Sequence, residues 1–210
     1  MKIALDIDGV LLDFDTHWRE FAATYLQRDI VKLNDDYYLE SRYGIVKADS
    51  DAIWAAFFEQ EKWASIEPYQ CALEAIEVLH KSDHDIVCIT AAPQEVERQR
   101  RMSLQHLGLD AHEIEFTGYH HEGKTKHDAL LRHAPDIFVD DQLINLSHAQ
   151  ECKIENLVWL DRGDAQMEVE KGSDWEAYAT HRIESMTGIV AIIDRLEATL
   201  ARAPRLGIAS

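Results

Sequence analysis

The sequence predicts an α/β fold, a doubly wound parallel sheet with a small helical cap inserted after its first strand. Three observations carry this expectation. Short apolar runs recur along the chain with helical patterns between most of them, several of the runs end in acidic or hydroxyl side chains, and the gap between the first two is too long for one crossover helix. Alternation of this kind implies parallel strands joined by crossovers, and so a sheet covered on both faces.

The first run, Lys2 to Val10, is interrupted by Asp6 and Asp8 and stopped by Gly9, which suits a buried strand ending in a turn. From about Phe14 to Glu67 the chain is crowded with aromatics, among them Trp18, Trp54, Trp63, Tyr37 and Phe57. This stretch reads as a cap over the carboxyl edge of the sheet, where open α/β sheets place their ligands, with most of its rings forming its own small core. The expected division is 1–13 and 68–210 for the core and 14–67 for the cap. Ala72, Leu73, Ile76 and Leu79 then mark a helix before the second run, Asp85 to Thr90. Pro93 and a polar helical stretch, Gln94 to His106, follow it. Glu113 to Thr117 is the third run, Asp136 to Asp140 the fourth, after the helical Ala129-Leu130-Leu131, and Asn156 to Leu160 the fifth. Gly163 to Asp174 reads as a loop. Ile183, Met186, Val190, Ile193, Leu196 and Leu200 recur at helical spacing, so a last helix should lie against the sheet, or else against a second subunit in a homodimer.

Composition narrows the classes of partner. With 210 residues, 46% of them hydrophobic, the chain is long enough to bury a substantial core, and its formal charge of −18 opposes attraction to phosphate backbones or anionic membranes. Neither a nucleic-acid polymer nor a membrane is expected as partner. No apolar run approaches the roughly 18 residues of a membrane span, and Met1-Lys2-Ile3-Ala4-Leu5-Asp6 meets charge too early for a signal peptide, so a soluble, cytoplasmic chain is expected. Cys71, Cys88 and Cys152 are odd in number and widely spaced, which suits reduced thiols rather than a disulfide framework or a zinc knuckle.

Asp6 and Asp8 leave one strand end on the same side, and two carboxylates so close raise one pKa or demand a cation. An acidic turn would explain the pair equally well if it stood alone. It does not, because Thr90 and Asp140-Asp141 end later strands, and the ends of parallel strands share one edge. Asp140 can therefore join Asp6 in an oxygen-rich site suited to Mg²⁺, which takes carboxylates, carbonyls, water and substrate phosphate. Lys126, or Lys124 two residues earlier, could balance a bound phosphoryl group.

Together these residues resemble the four motifs of the haloacid dehalogenase superfamily of phosphohydrolases: Leu5-Asp6-Ile7-Asp8-Gly9-Val10, Ile89-Thr90, Lys126 and Val139-Asp140-Asp141, in order across about residues 2 to 160. Val10-Leu11-Leu12-Asp13-Phe14, the insert after it, Thr90-Ala91-Ala92-Pro93 and the lysine helix are similar to the deoxyribonucleotide 5′-nucleotidase group. The chain departs from that group in Ala91 for a serine beside the phosphate, Cys71 for a glycine, and Gln142 after the acidic pair. The resemblance implies a Rossmann-like core and Mg²⁺-dependent hydrolysis of a small phosphate ester through an aspartyl-phosphate. It makes Asp6 the nucleophile and Asp8 the acid and base, with Thr90 and Lys126 on the phosphoryl oxygens. Mg²⁺ would be held by Asp6, the backbone carbonyl of Asp8 and Asp140, with Asp141 orienting a metal-bound water or Lys126. Ala91 would line the phosphate site, Lys124 would act as a peripheral cation, and Phe14 would either stack on the leaving group or pack the cap against the sheet.

Other readings compete. Receiver domains share the residue types, but their phosphorylated aspartate lies on a later strand. A sugar phosphate or flavin mononucleotide could replace a nucleotide as substrate, and a phosphate sensor without turnover is the alternative from another class. His120-His121-Glu122 with His127 reads as solvated surface rather than a metal site, since adjacent histidines do not readily share one ion. Arg98, Arg100 and Arg101 read as a helix face pairing with Glu95 and Glu97.

Overall fold

The computed structural model describes residues 1–119, 125–163 and 174–202. Six strands, β1 (Lys2–Leu5), β2 (Asp85–Thr90), β3 (Glu113–Phe116), β4 (Ile137–Asp140), β5 (Asn156–Leu160) and β6 (His181–Ile183), form one parallel sheet. Their order is β3-β2-β1-β4-β5-β6. The connections therefore run outward in both directions from the β1/β4 boundary, the switch point at which such sheets bind ligands.

Alternation along the strands builds a core on each face. Ile3, Leu5, Ile86, Cys88, Ile137 and Val139 enter one cluster, while Ala4, Val87, Ile89 and Phe138 enter the other. The first cluster is covered by α4 (Gln70–His80), α5 (Glu97–Leu104) and α8 (Gly188–Arg202), the second by α6 (His127–His133) and α7 (Leu143–Glu151). A doubly wound sheet is thus present as expected.

Three boundaries differ from the sequence reading, each for a local reason. The apolar run after β1 leaves the sheet after Asp6 and folds back on itself, Leu11 and Leu12 donating to the Ile7 carbonyl at 2.8 and 2.9 Å. Ile7, Val10, Leu11 and Leu12 are fully buried all the same. The sixth strand is missing from that reading because β6 is three residues at the sheet edge, half-buried at His181 and Ile183 and exposed at Arg182, too short to show a period. Ile183 therefore belongs to β6, and the last helix starts only at Gly188, packing against α4. Gln94 to His106 is helical, but α5 is flanked by 3-10 turns at Gln94–Val96 and Gln105–Leu107. Of the expected loop, only Gly163 and Asp174 lie among the described residues.

Between β1 and α4 run α1 (Phe14–Leu26), α2 (Leu39–Arg42), α3 (Lys47–Glu59) and a 3-10 turn, Lys62–Ser65. Asp13 caps α1, its Oδ1 accepting from the Thr16 amide at 3.2 Å. The rings of Phe14, Trp54 and Trp63 form a triangle with centroid separations of 5.4, 6.0 and 6.1 Å. Buried Arg42 donates to Asp15 and to the Asp36 carbonyl, tying the stretch before α2 to α1. All three cysteines are unpaired. No helix among the described residues is long and apolar enough to cross a membrane.

Candidate active site

β1 and β4 lie side by side with Leu5 opposite Val139, and the Asp6 amide continues the ladder to the Val139 carbonyl at 3.0 Å. That register brings Asp6 next to Asp140, the last residue of β4. Asp6, Asp140 and Asp141 each offer a carboxylate oxygen within 4.8 Å of the others, and all three are buried. Lys126, at the start of α6 and wholly buried, bridges two of them: its Nζ lies 2.7 Å from Asp6 Oδ1 and 2.7 Å from Asp140 Oδ2. The other oxygen of Asp140 accepts from the Gln142 amide at 2.9 Å and from Asn145 Nδ2 at 3.0 Å. Asp140 is therefore fixed on both sides.

Burial pushes the Asp6 carboxyl up to about 7; Lys126 draws it down and Asp140 pushes it back up. Burial, reinforced by Asp140 and Asp6, also raises Asp141, against the hydrogen bond it accepts from Gln142. For Lys126 burial alone would favour the neutral amine, but Asp140 and Asp6 outweigh it and hold the ammonium above the usual lysine range. Three buried carboxylates against one ammonium leave the cluster short of positive charge, and an all-oxygen donor set lacking that charge fits a hard dication.

Gly9 is required by this closeness. Its φ is +80°, and a Cβ built there would fall 2.7 Å from Asp141 Cγ. The loop after it is pinned by Arg162, which stacks over Tyr69 and donates to the Gly9 and Val10 carbonyls at 2.7 and 3.2 Å. On the neighbouring strand end Thr90 is buried, its Oγ1 accepting from the Ala92 amide at 3.2 Å. Half-buried Ala91 lies between them and brings no side-chain donor. Tyr37, from the stretch before α2, has its hydroxyl pushed up by burial and then by Asp141, Asp6 and Asp8, which brings the inserted segment into the field of the acids.

Asp6, Lys126 and Asp140 thus come together as the sequence expects, and Asp141 lies inside the carboxylate cluster rather than behind it. Asp8 does not: its side chain turns to Arg100, with which it forms an ion pair. This corrects the reading of the arginines. Arg101 does pair with Glu97, at 2.8 Å, but Arg98 reaches Glu61 and Arg100 is wholly buried. A signal for Arg100 exists in the sequence, since Val96, Leu104 and Leu107 are buried at helical spacing around position 100. Asn145 and Arg162 were also missed, and no local pattern marks them. Phe14 sits in its aromatic triangle. Lys124, like His120, His121 and Glu122, lies outside the described residues.

No family model matches the chain. Among solved structures it is similar to a haloacid dehalogenase-like family hydrolase of Streptococcus pneumoniae, with a TM-score of 0.62 and 16% identity over 91% of this chain and 97% of that one. It is also similar to a HAD family hydrolase of Deinococcus radiodurans, solved with bound phosphate and sodium, with a TM-score of 0.63 and 11% identity over 93% and 96%. In sequence, a "Putative nucleotidase" of Bacillus cereus is 26% identical over 120 residues, 55% of this chain and 64% of that protein. The chain thus spans less than two thirds of that relative's length. The fold is that of the haloacid dehalogenase-like hydrolases.

Proposed function

We propose that the chain is a Mg²⁺-dependent phosphomonoester hydrolase that works through a phosphoryl group carried on Asp6. The observation that carries this reading is the buried cluster of Asp6, Asp140 and Asp141 bridged by Lys126, with Thr90 on the adjacent strand end. Asp6, Asp140 and the Asp8 carbonyl would hold Mg²⁺, with Asp141 beside them, and the ion would supply charge to a phosphate oxygen. A carboxylate oxygen of Asp6 attacks phosphorus, the ester P–O bond breaks, and its electron pair leaves with the alcohol oxygen, which takes a proton from Asp8. Water then attacks the same phosphorus, gives a proton to Asp8, and the Asp6–phosphorus bond breaks to return the carboxylate. Lys126 and Thr90 face the phosphoryl oxygens, where donors act on charge that builds in the transition state.

The alcohol is read as a nucleoside, making the chain a 5′-nucleotidase. This finer reading is supported by the likeness to the Bacillus cereus protein and by Thr90-Ala91-Ala92-Pro93. Three unpaired thiols agree with a cytoplasmic setting. The reading is tested by measuring phosphate release over nucleoside monophosphates, sugar phosphates and flavin mononucleotide, with Mg²⁺ and with chelator. Release should need Mg²⁺ and favour nucleotides, and Asp6→Asn should lower kcat by at least about a thousandfold. Turnover that survives chelator, or survives Asp6→Asn at more than a few per cent, would overturn it.

A further inference from the structure

Arg100 stands where nothing in the resemblance asks for a cation. It is carried by α5, part of the layer that covers the sheet, and its side chain is wholly removed from solvent. Its guanidinium meets two things. One is the Asp8 carboxylate, through Nη2 and Oδ2. The other is the ring of Trp63, which lies 4.3 Å from Cζ and belongs to the 3-10 turn of the inserted segment. Trp63 is itself 2% exposed, so the cation is covered by an indole face rather than by water. Among the described residues the second oxygen of Asp8 accepts no hydrogen bond. The direction of the Asp8 carboxylate therefore depends on Arg100, and the direction of Arg100 depends on Trp63.

We infer that Arg100 is a positioning residue for Asp8, set in place by Trp63, so that the inserted segment fixes the direction of the proton carrier through α5. The inference rests on the proton-carrying reading of Asp8 given above. A planar guanidinium suits the task, because it can stack on an indole face and point a fixed N–H at a carboxylate in one geometry, as a lysine ammonium cannot. Arg100 does not reach the buried acidic cluster: its ion pair is with Asp8 and not with Asp6, Asp140 or Asp141. Its loss should therefore spare the binding of phosphate and impair the transfer of the proton.

The test uses two esters of one enzyme. An alkyl phosphate leaves as an alcohol that must be protonated, whereas p-nitrophenyl phosphate leaves as a stable phenolate, so the ratio of their kcat/KM values reports the acid. Arg100→Gln and Arg100→Met, the first keeping a hydrogen-bond donor and the second only bulk, are compared with Asp8→Asn. Each variant is first checked for a cooperative melt. Arg100→Met should lower kcat/KM for the alkyl ester at least tenfold and for p-nitrophenyl phosphate less than threefold, with Arg100→Gln between it and the wild type. If Asp8→Asn shows that selectivity while both Arg100 variants lose the two esters equally, or gain on the alkyl ester, Arg100 does not position Asp8. An Asp8→Asn variant with equal losses on both esters would remove the proton-carrying reading, and the role of Arg100 with it.

Discussion

At Asp6 burial and the neighbouring Asp140 oppose ionisation while Lys126 favours it, and the balance leaves the carboxyl at about 7 against 3.8 for an unperturbed aspartate. Between those two values the folded chain holds more protons than the unfolded one, so stability falls as pH rises through the window. Asp141, raised in the same sense, adds to the slope. Lys126, raised above its ordinary value, contributes fully across this range and is lost only at higher pH. A dication that replaces those protons should therefore stabilise more when they are gone. Melting temperatures at about pH 5 and about pH 8, with and without Mg²⁺, should show the larger metal-induced rise at the higher pH. An equal or larger rise at the lower pH would mean that Asp6 does not hold the ion. At this scale the sequence was informative where chemistry sits at strand ends, as at Asp6, Thr90 and Asp140. Arg100 is harder to read, because a charged residue on a helix is ordinarily solvated, and here the apolar stripe of α5, Trp63 and Asp8 together make it an interior group.

Among the elements, the inserted helices set the surroundings of a side chain that has two possible uses. Phe14 opens α1 at the point where the chain leaves the sheet, and the sequence allowed its ring to stack on a leaving group or to pack. In the structure the half-buried ring lies against Trp54 and Trp63 and meets Phe57 edge-on at 6.2 Å, packed at the margin of the core. Phe14→Ala should cost about 3 kcal/mol of stability and lower kcat/KM by similar factors for a nucleotide and for p-nitrophenyl phosphate. A loss confined to nucleotides, with an unchanged melt, would return the ring to the substrate. The strands were legible because parallel strands buried on both faces read as short apolar runs, β2 being recovered end to end. β6 was not, because at the sheet edge half its surface stays wet and three residues carry no pattern.

Across the whole molecule the sheet order does what no local motif can. It carries residues 6, 90, 126 and 140 to one edge at the switch point, where sheets of this order bind ligands. This convergence could be anticipated from the order of the runs, whereas the contacts that tune it, Asn145 on Asp140, Arg162 on the Gly9 loop and Arg100 on Asp8, arise only from the folded arrangement. The proposed reaction requires that Asp6 take the phosphoryl group in a covalent bond. An acyl phosphate is reduced by borohydride to an alcohol while a free carboxylate is not, so protein quenched during turnover with Mg²⁺ and substrate, reduced, and mapped by peptide mass spectrometry reports the site directly. Homoserine is expected at position 6 and nowhere else, and none when substrate is omitted. Phosphate released at full rate with position 6 unmodified, or with the mark on another carboxylate, would contradict it.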